Sequence, residues 1–339
     1  MMNAKEFGVT VAWQGATIEA LRYIALESER LGLGYLWIPE AWGLEGFSTS
    51  SYLLSITTKI RIGTGVVNVY SRSAALIGMA CATVDQIALG RFILGLGSSG
   101  RAVVENFHGV RFERPRERTR EYVEVVRKVA RGESVEYSGD LLKLSRFRLF
   151  TKHASSPLEI YLGVMGARNL RLAGELCDGA IVTMYPISRL VDASRMLGAE
   201  ENKKKLFAYI PTMVLSGKKD DDDLSREIIA RNIAFYITSM GKYYSSNLAR
   251  LGFDSEVRRV IDAHARSGSK GATIAVGDEL LDELALIGTR DQVIEKISRL
   301  PGGVHPVFAF SVRSAGELAN SINSLRQIFS FPSSFSTTA

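Results

Sequence analysis

The stretch FILGLGSSG, Phe92 to Gly100, decides how the rest of the chain is read. Its last six residues, Gly95 to Gly100, spell G-x-G-x-x-G. A dinucleotide-binding open sheet needs a strand before these glycines, a helix after them, and an acidic residue about 20 positions on, at the end of the next strand. The strand is present. After Gly100, however, RAVVENFHGVRFERPRERTREYVEV reads as a loop and then a charged helix, and Glu117 and Glu121 fall inside that helix. Three strands also precede this one, whereas the fingerprint usually opens its domain. The open-sheet reading is set aside. At the C-terminal end of a barrel strand the same glycines have another use: Gly97, Ser98, Ser99 and Gly100 let backbone approach a flat or anionic ligand closely. A plain tight turn is the alternative.

Working outward, short β-rich runs alternate with amphipathic segments. Strands are expected at 7–13, 35–39, 60–67, 91–97, 158–164, 179–185, 204–216 and 303–312. Helices are expected at 17–32, 51–58, 74–90 (stopped by Gly90), 116–132, 167–177, 188–198 and 315–329, with a long, mostly helical section over 222–300. Residues 133–157 interrupt the rhythm and read as a hairpin or loop insertion. Eight strand–helix alternations without a Pro/Gly/Ser-rich seam give an α/β fold, a (β/α)8 TIM barrel, as one domain over 1–330. The Ser/Thr-rich end, 331–339, reads as a flexible tail. The run Lys218 to Asp223 reads as a solvated turn and helix start.

The 339 residues are 46% hydrophobic and 23% charged, the balance of a globular protein. No apolar run approaches the roughly 20 residues of a membrane span, and the N-terminus lacks the regions of a signal peptide, so a cytoplasmic protein with no membrane contact is expected. Cys81 and Cys177 form no C-x-x-C pair and read as buried core residues; four scattered histidines give no metal-ligand spacing. A net charge of +6 suits an anionic ligand, but no basic cluster is interleaved with aromatics, so nucleic acid is not expected as a partner.

Five stretches, taken together, carry a family likeness: LWIPEAWG (36–43), KIRIGTGVVNVYSRSAALIGMACATVDQIALGRFILGLGSSG (59–100), VVENFHGVRFERPRERTREYVEVVRKVARGE (103–133), IYLGVMGARNLRLAGELCDGAIV (160–182) and LIGTRDQVIEKI (286–297). The chain resembles the luciferase-like flavin/deazaflavin superfamily. Within it, the likeness is to the coenzyme F-420-dependent oxidoreductases, a group that includes methylenetetrahydromethanopterin reductase. The resemblance implies a (β/α)8 barrel with an insertion after helix four. It also implies coenzyme F-420 (8-hydroxy-5-deazaflavin) as cofactor, hydride transfer with a small-molecule substrate, and a homodimer. A monooxygenase using reduced FMN and O2 is the first alternative. A non-catalytic flavin-binding barrel is the second.

The same resemblance places the site. Gly65 and Val66, in GTGVVN, match a bulge with a cis peptide bond that backs the deazaflavin ring. Glu40, at the end of strand two, matches an acidic position near the ring; partial burial there would favour proton exchange, a capping or salt-bridged carboxylate being the alternative. Asn68 is placed at the ring edge, and Arg72 either at an anionic tail or against a neighbouring carboxylate. Val164, Met165, Gly166 and Ala167 open the helix after strand five, where backbone N–H groups make an anion site for the cofactor phosphate. Glu105 and His108 lie just beyond the strand-four loop; His108 reads as a proton donor or a structural histidine. Trp13 and Trp42, both at strand ends, wall an aromatic ligand or pack in the core. Ala41 departs from the sugar-phosphate dehydrogenase branch, which has a histidine there, so that chemistry is not expected.

Overall fold

In the structure, a computed structural model, residues 3–151 and 157–329 are described. The expected tail at 331–339 lies outside the described residues. Eight parallel strands close into a ring: β1 (Gly8–Val11), β2 (Tyr35–Ile38), β3 (Arg61–Thr64), β4 (Phe92–Gly97), β5 (Ile160–Gly163), β6 (Gly179–Thr183), β7 (Lys205–Val214) and β8 (Val304–Phe310). The ring shuts where Gly8 pairs with Val307. Parallel strands covered on both faces need apolar residues throughout, and β1, β2 and β4 are buried at every position. The (β/α)8 expectation holds.

The barrel interior is solid. Trp37, Tyr161 and Phe207 pack edge to face inside it, with ring centroids 4.9 Å (Trp37–Phe207) and 5.1 Å (Tyr161–Phe207) apart. Gly63 makes room for Trp37: a Cβ there would stand 2.7 Å from the indole. Ligand space is therefore confined to the ends of the strands.

Helices alternate with the strands, and local chemistry sets their starts. Thr17 accepts from the Ala20 N–H at 3.1 Å, and Thr289 with Gln292 makes a reciprocal capping box. Pro115 occupies the first turn of Pro115–Ala130. Two helix boundaries differ from expectation for a reason the local contacts show. The helix expected at 51–58 runs Gly46–Ile56, because Glu45 caps it by accepting from the N–H groups of Phe47 and Ser48. The helix expected to reach Gly90 ends at Ala88, with Leu89 itself taking the left-handed turn (φ 51°).

Strand three is also shorter than expected. It stops at Thr64, the Gly65–Val66 peptide bond is cis, and a two-residue bridge, Val67–Asn68, resumes pairing beside β4. Thr64 spans the break with its side chain: Oγ1 donates to the Gly95 carbonyl at 2.8 Å and accepts from the Gly95 N–H at 3.0 Å.

Two insertions decorate the barrel. The first, after Pro115–Ala130, is an antiparallel hairpin, Val135–Ser138 with Lys143–Phe147. Its turn is tied to that helix by the buried Glu121 carboxylate, which accepts from the N–H groups of Asp140, Leu141 and Leu142. The second comes after β7. The helices Lys219–Thr238, Lys242–Leu248, Asp254–Ile274 and Asp278–Leu284 build a separate apolar cluster that includes Ile233, Leu248, Val260 and Leu280. A short strand, Leu286–Gly288, then pairs with the far end of β7. The helical character of 222–300 was expected; this strand was not, because three residues are too few to show a period.

Candidate functional site

A cavity of about 230 Å3 opens at the C-terminal ends of the strands. Its residues come from the ends of β1, β2, β3, β4, β5, β6, β7 and β8 and from the insertion after β7. This is the position at which barrels of this class assemble sites from loops on a rigid frame.

The glycines that raised the first question do three different jobs. A Cβ on Gly95 would fall on the Thr64 carbonyl, so Gly95 permits close strand approach. A Cβ on Gly97 would meet Val66 Cγ2 at 3.0 Å, and one on Gly163 would meet Val66 Cγ1 at 2.9 Å. Gly97 thus makes the slot into which Val66 fits and does not itself line the cavity, which corrects its expected place at the ligand. Gly65, Val66, Ser98, Ser99 and Gly100 do line it, as does Gly163. Gly65 is constrained from within: a Cβ would fall on the Tyr209 hydroxyl. That hydroxyl is buried and meets no hydrogen-bond partner among the described residues.

Glu40 lines the cavity, but not as an unpaired carboxyl. Arg72 donates Nη1 to Oε1 at 2.7 Å and Nη2 to Oε2 at 2.9 Å, and the Gly46 N–H adds a bond to Oε2 at 2.8 Å. The Glu40 side chain is 9% exposed. Arg72 also pairs with Glu45 and lies over the Phe47 ring. Burial opposes the charge of Glu45, yet the N–H groups of Ser48 and Phe47 and the Arg72 guanidinium hold its carboxyl below the usual range. Of the two partners open to Arg72 in the sequence, the neighbouring carboxylate is the one it takes.

Five other expected site residues are not among those lining the cavity: Asn68, Glu105, His108, Gly166 and Ala167. Asn68 is 2% exposed; its Oδ1 accepts from the Tyr70 N–H at 2.9 Å, and its Nδ2 lies 3.2 Å from His108 Nε2. Both ends of the amide are spent in holding the bridge after β3. His108 acts on that amide and stands outside the lining residues. Glu105 pairs with Arg101 and accepts from the Phe112 N–H, which pins the loop after β4. Sequence proximity to the rim put these two side chains in reach; the wide helical turn at Val103–Phe107 aims them elsewhere.

Val164 and Met165 line the cavity, and the helix Ala167–Leu176 begins directly after them. Gly166 precedes its first turn at a positive φ (78°), and no side chain caps the helix. Asn169, unanticipated from the sequence, lines the cavity and donates to the Met165 carbonyl at 3.3 Å.

Trp13 and Trp42 both line the cavity, edge to face with centroids 5.3 Å apart. The residues the sequence did not reveal come from the far side. Met184, Tyr209, Tyr236, Met240 and Tyr244 also line it. Burial pushes the Tyr236 hydroxyl up to about 12 and also raises those of Tyr209 and Tyr244. No motif marks these residues, because only tertiary packing brings the helix Lys219–Thr238 over the barrel mouth. Among the described residues no group of three or more His, Cys, Asp or Glu side chains is placed to hold a metal, and no helix is long and apolar enough to cross a membrane. Cys81 and Cys177 are buried, and burial raises both thiols.

Comparison with known proteins agrees with this frame. The family model described as luciferase-like monooxygenase matches residues 4–302. A 5,10-methylenetetrahydromethanopterin reductase of Archaeoglobus fulgidus is 30% identical over 304 residues, spanning 86% of this chain and 89% of that protein. The solved coenzyme F-420-dependent tetrahydromethanopterin reductase of Methanopyrus kandleri superposes with a TM-score of 0.79 at 22% identity, over 95% of this chain and 96% of that one. The oxygenating constituent of 3,6-diketocamphane monooxygenase from Pseudomonas putida, in complex with FMN, gives 0.69 at 16% identity, over 96% of each chain. A barrel closed through these eight strands, with its cavity at their C-terminal ends and a family match across most of its length, belongs to the luciferase-like monooxygenase family.

Proposed function

We propose that the chain is a coenzyme F-420-dependent oxidoreductase, with 5,10-methylenetetrahydromethanopterin as its substrate. One observation carries the reading. A single cavity has a floor kept free of side-chain bulk at Gly65, Gly100 and Gly163 and reaches Met165 and Asn169, on either side of the start of a helix that no side chain caps. A flat ring system linked to a phosphate matches that combination. The likeness to the Archaeoglobus reductase supports it.

When bound, the deazaflavin supplies a ring carbon that gives or takes a hydride. The protein's part is to bind, orient and exclude water. Gly65 and Val66 would back the ring, with Val66 held in place by Gly97 and Gly163. The backbone N–H groups of Met165, Gly166 and Ala167 would hold the phosphate, and the hydroxyls of Ser98 and Ser99 would add neutral hydrogen bonds. Glu40, fixed by Arg72, keeps free lone pairs and serves as a positioned acceptor at the rim. Tyr236 keeps its proton well above neutral pH and serves as a donor. Trp13 and Trp42 shield the mouth.

The homodimer belongs to the same proposal. Leu76, Met79 and Ile87 share one face of Ala74–Ala88 and are each more than 40% exposed, and Leu89 beside them is 83% exposed. The test of function is turnover: the reduced cofactor with methylenetetrahydromethanopterin should be oxidised in step with substrate loss. Absence of turnover with cofactor bound would remove this substrate. NADH-driven oxygen consumption with FMN and a flavin reductase would move the reading to a monooxygenase.

A further inference from the structure

The cavity is almost without charge. Among its described lining residues there is no Lys, Arg, His or Asp, and Glu40 is the one carboxylate, already neutralised by Arg72. Its outer wall is aromatic, at Trp13, Trp42, Tyr236 and Tyr244, and Phe235, which does not itself line the cavity, joins the two halves from behind. Trp42 meets Trp13 at 5.3 Å, Trp13 meets Phe235 at 6.1 Å, Phe235 meets Tyr236 at 6.1 Å, and Tyr236 meets Tyr244 at 4.8 Å, centroid to centroid. Three of these contacts are edge to face near 70–90°, and the Trp13–Phe235 pair is at 62°, so each ring is fixed by the next. Met240, two residues past the end of the insertion helix Lys219–Thr238, also lines the cavity.

An anion is left to the helix start beside Met165, and the aromatic side of this chamber selects against ionised groups. A charge brought into it loses water and meets no counter-ion, while a flat uncharged ring gains aromatic contact. The polar groups on this aromatic wall are neutral hydroxyls and indole N–H groups. We propose that the insertion after β7 makes this chamber specific for an uncharged aromatic moiety, held against Trp13, Trp42, Tyr236 and Tyr244, and that any ionised part of the substrate stays at the mouth. The proposal rests on reading this cavity as the substrate site, and it names the chemistry of the part that enters.

A matched pair of probes tests it: naphthalene-2-carboxamide and 2-naphthoate, nearly equal in shape and different in charge at pH 7. Each is titrated into the full chain by calorimetry. The carboxamide is expected to bind at least tenfold more tightly. Trp42→Ala and Tyr236→Ala, each checked for an unchanged melting profile, should weaken the carboxamide at least fivefold. Met240→Lys places a cation in the chamber and should reverse the preference; it remains informative should either alanine variant fold poorly. Coenzyme F-420 binding is followed separately by its own fluorescence in each variant, so that cofactor and probe affinities are read independently. Equal binding of the two probes, preference for the carboxylate in the unaltered protein, or binding of neither overturns the proposal. Loss of F-420 binding with the probe preference intact counts against the cofactor reading alone.

Discussion

Glu40 and Arg72 form a two-pronged ion pair across 32 positions of sequence, with both carboxylate oxygens within 2.9 Å of a guanidinium nitrogen. The pair ties the end of β2 to the segment after the β3 bridge, and Arg72 carries the tie on to Glu45 at the next helix start. The rim of the cavity is therefore held by charge that is used up within the protein.

Removing Arg72 leaves the Glu40 carboxylate buried without its ion-pair partner, which costs about 3 kcal/mol or more for such pairs. Arg72→Ala should destabilise the chain by that order in urea unfolding. Arg72→Ala with Glu40→Gln should be milder than Arg72→Ala alone, since no buried bare carboxylate remains and the more exposed Glu45 keeps the N–H groups of Phe47 and Ser48. Additive losses would show that the two do not depend on each other.

Gly65 answers to Tyr209. A methyl group at position 65 would occupy the place of the Tyr209 hydroxyl. Overpacking of this kind costs about 1–3 kcal/mol. Gly65→Ala should fall in that range, and Tyr209→Phe in the same chain should restore more than half of it by removing the conflicting oxygen. The remaining neighbours, Trp37 Cβ at 3.2 Å and Tyr209 Cζ at 3.3 Å, are close but tolerable. An unchanged deficit in the double variant would contradict the contact.

These two relationships also show where the sequence was legible. Eight strands announced themselves through β-branched and aromatic runs, and the rejection of the dinucleotide fingerprint needed only the loop and charged helix after Gly100. Gly65, Val66, Ser98, Ser99, Gly100, Val164, Met165, Trp13, Trp42 and Glu40 all reach the cavity. Direction stayed hidden. Asn68, Glu105 and His108 sit at the rim in sequence but turn into local hydrogen bonds, and chain order does not encode which way a loop side chain faces. Tyr209 lies mid-strand and Tyr236 on a helix from a distant insertion, so their convergence exists only in the closed barrel.

The hairpin after the fourth barrel helix depends on one carboxylate. Glu121 accepts from three consecutive N–H groups at 2.7–3.1 Å. Hydrogen bonds to a charged group are worth about 1.5–3 kcal/mol each. Glu121→Ala should raise hydrogen exchange at Asp140, Leu141 and Leu142 by roughly tenfold or more, since about 1.4 kcal/mol corresponds to a factor of ten. Exchange within the barrel strands should hold steady. Unchanged protection in the turn would mean the hairpin holds itself.

Acid sensitivity should trace in part to Glu27. Hydrogen bonding to Arg30, opposed by burial and reinforced by Arg326, holds its carboxyl at about 2 rather than the usual 4.5. The Arg326 bond ties the helix Ile18–Arg30 to the last helix, Ala315–Phe329. A folded-state value below the unfolded one stabilises the protein above pH 4.5, and that contribution fades as pH falls toward 2. Glu27→Gln should therefore melt below the parent protein at pH 7, and the two curves should converge on approach to pH 2. A constant gap across that window would exclude the linkage.

The most direct measurement is a pair of titrations of the purified protein, one with coenzyme F-420 and one with FMN, followed by fluorescence quenching. Tight, saturable binding of F-420 with little response to FMN is the expected result. Preference for FMN, or binding of neither, would contradict the assignment of the Gly65–Val66 floor and the Gly166 helix start to a deazaflavin.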